Sequence, residues 1–200
     1  MKISMVWPVA ALGFLALGCE SGGVGDPCTP EDEYTQMFSN FSDEEVNVES
    51  KSFQCETRIC LVNHFQGRVS CPYGQSEMDL TLDGTSPARC RIPGTLGDDP
   101  FDQITVPVLP QLLQRQAEKA VYCSCRCDGP DEGARYCECP SGYKCTELVK
   151  PLGLPAAQLA GSYCVRNGTD YDPTNPPAGN CDRNSANCGN KGDDGLGQNP

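Results

Sequence analysis

The chain has 200 residues, enough for one or two domains. Fifteen cysteines point to a disulfide scaffold, which persists only in an oxidising compartment; 17 prolines, 21 glycines and 7% aromatic residues argue against a large apolar core. The net charge of −12 argues against nucleic acid and anionic lipid headgroups as partners, since both need a basic patch.

Met1 and Lys2 give a positive start, and residues 3–18 are uncharged and mostly apolar, with Pro8 inside. This is the n-region and h-region of a signal peptide, expected over 1–18. It is too short and irregular to span a membrane as a helix. The h-region ends in Leu15-Ala16-Leu17-Gly18-Cys19. That run resembles the bacterial lipobox, with Ala16 where the lipobox prefers leucine. The resemblance implies diacylglycerol on Cys19, cleavage before it and acylation of the new amine. Because Glu20 rather than aspartate follows, the sorting pattern of enteric lipoproteins implies the outer membrane. The same Ala16-Leu17-Gly18 also fits the cleavage site of ordinary secretion. Parity favours lipidation. Without Cys19, fourteen cysteines remain as disulfide candidates and can pair fully: Cys28, Cys55, Cys60, Cys71, Cys90, Cys123, Cys125, Cys127, Cys137, Cys139, Cys145, Cys164, Cys181 and Cys188.

Residues 19–51 read as the lipidated cysteine and an acidic flexible tether. Ser21-Gly22-Gly23-Val24-Gly25 opens it, and eight acidic residues follow between Asp26 and Glu49. No spacing there matches a calcium loop.

Residues 52–167 form the expected disulfide-rich domain, with sub-blocks 52–93 and 108–167. In the first, Ile59-Cys60-Leu61-Val62 is a β-prone run. Phe65-Gln66-Gly67-Arg68-Val69-Ser70 predicts a turn and a return strand. Met78-Asp79-Leu80-Thr81-Leu82 alternates before the turn signal Asp83-Gly84. Small hairpins closed by their own bridges are expected. In the second, Leu109, Leu113, Ala117 and Val121 recur every four residues, predicting one amphipathic helix over 108–122 with Pro110 in its first turn. Gln114, Arg115, Glu118 and Lys119 supply its wet face. Cys123, Cys125 and Cys127 would share one face of a strand, about 6–7 Å apart, and serve three separate partners. Cys137-Glu138-Cys139-Pro140-Ser141-Gly142-Tyr143 resembles the end of an epidermal-growth-factor-like module, although the preceding C-x-C-x-C departs from that spacing.

Residues 168–200 read as a disordered tail rich in Gly, Asn, Asp and Pro. For the bridges, Cys55, Cys60, Cys71 and Cys90 are expected to pair among themselves and Cys181 with Cys188. The seven cysteines of 123–164 would then need Cys28.

The runs Cys60-Leu61-Val62-Asn63-His64-Phe65-Gln66-Gly67-Arg68-Val69-Ser70-Cys71-Pro72-Tyr73-Gly74-Gln75 and Tyr122-Cys123-Ser124-Cys125-Arg126-Cys127 make residues 55–165 similar to cysteine-rich exported lipoproteins of myxobacteria. The resemblance implies no activity, ligand or catalytic residue.

C-x-C-x-C also occurs in thiolate metal clusters, but zinc knuckles usually space their cysteines as C-x₂₋₄-C, often with His, and the chain has a single histidine. Cys60 and His64 are close enough in sequence to be weighed as nucleophile and base. No nucleophile elbow, phosphate loop, dinucleotide fingerprint or redox C-x-x-C is present. The expectation is therefore a small disulfide-rich fold, mostly β and irregular with one helix. It has no catalytic residue, no metal and no cofactor. Its role is a non-catalytic structural or binding module, anchored to the outer membrane, with a protein or glycan as its further partner. An exported thiol enzyme or redox protein and a metal-binding thiolate protein are the alternatives.

Overall fold

The structure is a computed structural model that describes residues 22–75, 90–96, 99–151, 158–182, 185 and 187. The leader, Cys19, the strand and turn expected at 78–84, and Cys188 lie outside these residues. Among the described residues no helix is long and apolar enough to cross a membrane.

Two three-stranded antiparallel sheets carry the fold. The first comprises β1 (Val46–Glu49), β2 (Ile59–Asn63) and β3 (Val121–Ser124), in that order. The second comprises β4 (Arg126–Asp128), β5 (Tyr143–Val149) and β6 (Gly161–Arg166), with β6 central. The expected run Ile59-Cys60-Leu61-Val62 is the central strand of the first sheet. It is continuously apolar because both of its faces are covered. Alternation sends Cys60 and Val62 to one side, with Val121 and Cys123 of β3, where Cys28, Phe41, Cys55, Phe65, Val69, Ala117 and Ala120 close a core. Leu61 and Tyr122 point the other way, against Val165 of β6 and the half-buried Val46, Val48, Tyr143 and Leu148. This second core joins the sheets. At its edge Tyr122 and Tyr143 meet edge-on, ring centroids 5.7 Å apart, and the Arg166 guanidinium lies over both rings. The Arg166 N–H donates to the Tyr122 hydroxyl (2.9 Å).

Four expectations are corrected. The acidic stretch is not a tether: from Gly22 onward it belongs to the body. Its charges sit mostly outside while Cys28, Phe41, Val46 and Val48, spaced between them, dock inward. The helix shrinks to one turn, α1 (Ala117–Ala120). Upstream of it, the backbone is used in extended pairing: the Val108 carbonyl accepts from Gln75 N–H (2.8 Å) and the Gln111 carbonyl from Cys181 N–H (2.8 Å). Pro107 and Pro110, which cannot donate within a helix, suit that course. Leu109 is left exposed.

The segment after β2 does not return along it. Gly67, at φ +98°, pairs with Phe41 instead, and a Cβ there would lie 2.5 Å from the Leu109 carbonyl oxygen. Finally, residues 168–182 are mostly exposed but are tied to the body at Thr169, Asp170 and Cys181. Arg115, expected on a wet face, is buried and donates to the carbonyls of Asn63 (3.2 Å), Thr169 (2.9 Å) and Asp170 (2.7 Å), clamping the tail to the end of β2.

Candidate functional site

Six bridges have both partners among the described residues: Cys28–Cys60, Cys55–Cys123, Cys71–Cys90, Cys125–Cys137, Cys127–Cys145 and Cys139–Cys164. Cys181 is also disulfide-bonded, and its expected partner Cys188 lies outside the described residues. Cys123, Cys125 and Cys127 do take three separate partners. The expected partition fails at Cys55–Cys123, which joins the two blocks, and at Cys28–Cys60. The reason is sheet register. Antiparallel pairing sets Cys60 opposite Cys123, so both sulfurs enter one core and each bonds to a cysteine on the chain flanking the sheet. Cys145 and Cys164 likewise sit opposite each other on β5 and β6 yet bond elsewhere.

Bridges crowd in two places. The sulfurs of Cys28, Cys55 and Cys123 lie within 4.8 Å of one another. In the second sheet the Cys164 sulfur is 3.5 Å from that of Cys125 and 3.7 Å from that of Cys137. The triads Cys125, Cys137, Cys164 and Cys127, Cys139, Cys164 have the closeness of a thiolate metal set. As built, every one of these sulfurs is already bonded to another, and a thiolate would first require reduction.

Cys60 and His64 are not brought together as nucleophile and base. Cys60 is bridged to Cys28, and His64 is half-buried at the end of β2 with φ +54°. Its Nδ1 bonds the Asp43 carbonyl (2.9 Å) and its ring stacks on Tyr171 at 3.9 Å. Burial, together with the nearby Arg115 charge, holds the imidazole below its ordinary value.

An unanticipated buried pair fixes the acidic segment. Glu33, within a 3-10 turn (Glu31–Tyr34), is fully buried and accepts from Val69 N–H (2.6 Å) and Ser70 N–H (2.9 Å). Arg68, equally buried, donates to the carbonyls of Phe38 (2.7 Å), Thr35 (3.4 Å) and Glu33. Burial pushes the Glu33 carboxyl above its ordinary value, against the bonds from Ser70 and Val69 and the Arg68 charge, which pull it down. A raised native value means that the folded chain binds this proton more readily than the unfolded one. Stability contributed by the protonated form is therefore lost as pH rises from the ordinary carboxylate range through the raised value. Glu33→Gln should remove that slope. Denaturant unfolding of both forms across that window should show the wild type losing stability relative to Glu33→Gln as pH increases. A constant difference would contradict the raised value.

Outside this pair lies the most chemically distinctive surface. Tyr34 is half-exposed, and its hydroxyl accepts from Gln54 Nε2 (3.0 Å). Glu49 lies near it, with Glu31 and Asp32 near Glu49. Glu49 accepts from Glu31 N–H (2.9 Å), and burial with the neighbouring Glu31 and Asp32 charges raises its carboxyl. Next to Gln54, Phe53 is 84% exposed at the β1–β2 loop, with the Arg58 guanidinium 4.7 Å above its ring. Met37 and Phe101 are also exposed. Gln36 Nε2 donates to the carbonyls of Pro100 (3.1 Å) and Gln103 (2.9 Å) and so brings the turn that bears Phe101 beside the loop that bears Met37. Sequence reasoning weighed the carboxylates only as a tether or a calcium loop and singled out none of Tyr34, Met37, Phe53, Gln54, Arg58 and Phe101. The only signal was the aromatic and apolar residues scattered through an acidic stretch. Comparison with protein-family models, with curated proteins and with solved structures finds no match to this chain.

Proposed function

We propose that the protein is an exported lipoprotein of the bacterial cell envelope, acylated on Cys19 and held at the outer membrane, whose disulfide-stapled body is a non-catalytic binding or structural module. One observation carries this: every described cysteine is in a disulfide. So complete a framework belongs to an oxidising space. Fifteen cysteines are an odd number, and this reading gives the unpaired place to Cys19. Exposed Tyr34, Met37 and Phe101, with Glu49 near Tyr34, suit a protein partner that brings apolar and basic groups.

Intact mass of the protein extracted from native membranes tests the reading. Loss of residues 1–18, added acyl chains and no alkylatable thiol before reduction are expected. An unmodified Cys19, or a retained leader, would overturn it.

The contact of Cys164 with Cys125 and Cys137 favours one alternative, an exported redox protein. Its thiol–disulfide exchange would start at the surface-exposed Cys145. Native alkylation after mild reduction separates the two readings. A binding module keeps its thiol count near zero, whereas a redox protein exposes a reactive pair.

A further inference from the structure

We propose that the β1–β2 loop, residues 50–58, is a membrane-facing surface that seats Phe53 in the interfacial layer of the phospholipid bilayer carrying the anchor. The inference rests on acylation of Cys19 and goes beyond it, from attachment to orientation.

Gly22 is fixed to this loop. Its N–H donates to the Gln54 carbonyl (2.8 Å) and its carbonyl accepts from Glu56 N–H (2.9 Å). Three peptide units separate Cys19 from Gly22, a reach of at most about 11 Å. A lipid-bearing Cys19 at the bilayer surface therefore leaves the loop no more than about two headgroup layers away. The absence of a tether turns the anchor from a leash into a hinge pin, and the loop beside it must face lipid.

The loop has the chemistry for that position. Phe53 is the most exposed of the large apolar side chains among the described residues. An aromatic ring gains from burial at the headgroup level. Arg58 sits at φ +66°, a backbone region uncommon for arginine, and this conformation carries its guanidinium over the Phe53 ring. Lys51 is tied to the same turn, because Ser52 N–H donates to the Arg58 carbonyl (3.1 Å). Both cations can reach headgroup phosphates, Arg58 from over the ring. The Cys55–Cys123 bridge fixes the middle of the loop, so little ordering is lost on contact. Asp26 and Glu56 lie on the Gly22 side, and Glu31, Asp32 and Glu49 lie beyond Tyr34. This mixture suits zwitterionic headgroups over anionic ones.

The chain's one tryptophan is Trp7, within the leader. Phe53→Trp would thus give the mature lipoprotein a unique reporter at an exposed site that the fold does not depend on. The variant, matured in a bacterial host, is reconstituted into phosphatidylcholine vesicles whose acyl chains are brominated near the headgroup. Emission is expected to fall at least twofold against unbrominated vesicles, while Phe101→Trp, similarly exposed but without a link to Gly22, keeps its emission. Acylated, vesicle-bound protein with unquenched Phe53→Trp emission would overturn the docking surface, as would equal quenching of both variants. A protein whose mass lacks acyl chains would overturn the underlying reading instead.

Discussion

Arg68→Ala should cost about 3–5 kcal/mol, since each buried group left without its partner costs about 1–3 kcal/mol and Arg68 is the donor to several backbone carbonyls. The substitution leaves the Glu33 carboxyl in the interior without its counter-charge. It also strips the carbonyls of Phe38, Thr35 and Glu33 of their donors and removes the cation from the face of the Phe38 ring. Arg68→Lys should recover only part of the loss, since a single ammonium cannot span three carbonyls as a planar fork does. Denaturant unfolding under non-reducing conditions measures both. A cost below about 1 kcal/mol for Arg68→Ala, the level of a surface ion pair, would mean that the pair does not hold the 3-10 turn to the body.

The second large effect is expected for Cys55→Ala combined with Cys123→Ala. This bridge spans 68 residues and ties the β1–β2 loop to β3. Removing a native disulfide from a small exported domain typically costs about 2–5 kcal/mol, and long closed loops sit toward the upper end in the chain-entropy account. At this chain length each kcal/mol moves the midpoint by about 2–4 °C, so the melting temperature should drop by roughly 5–15 °C. Removing both partners avoids a stray thiol that could exchange with neighbouring bridges. The parallel variant at Cys127 and Cys145 closes a separation of 18 and has an exposed sulfur at Cys145, so its loss should be smaller. Calorimetry on the two double variants gives the ranking; the reverse order would show that the long bridge does not set the stability.

Local pattern was a good guide where both faces of an element were apolar, and a poor one where polar side chains replaced regular hydrogen bonding. The run Ile59-Cys60-Leu61-Val62 announces β2 because a strand covered on both sides has no polar position. Cys123, Cys125 and Cys127 do take three partners, but not from one strand face: Cys123 lies on β3, Cys127 on β4 of the other sheet, and Cys125 between the two strands.

The helix expected over 108–122 failed for a reason that periodicity cannot register. Within 108–122, side-chain amides take over backbone groups: Gln66 Nε2 donates to the Pro110 carbonyl (2.6 Å), and the buried Gln111 accepts at Oε1 from Ala117 N–H (3.4 Å). A glutamine in a sequence gives no sign of that use. The acidic stretch misled in the same way. Charge density suggested a solvated spacer, but what decides is whether the intervening residues can dock, and Cys28, Phe41, Val46 and Val48 can. Glu33 was counted among the solvated charges and lies at the centre of the buried pair. The candidate surface stayed hidden because its members, Tyr34, Phe53 and Arg58, converge only through β1–β2 pairing and the contact of Gly22 with Gln54.

The order of the bridges along the chain has a consequence for biogenesis. Cys28 bonds past Cys55 to Cys60, Cys55 bonds past Cys60 to Cys123, and Cys127 bonds past Cys137 and Cys139 to Cys145. A polypeptide threading out of a translocon amino end first offers Cys28 and Cys55 to an oxidase long before Cys123 has emerged. Pairing consecutive thiols as they arrive would lock wrong links into place. On the exported route proposed above, closing the interlaced set therefore calls for proofreading as well as oxidation, early links being undone by thiolate attack.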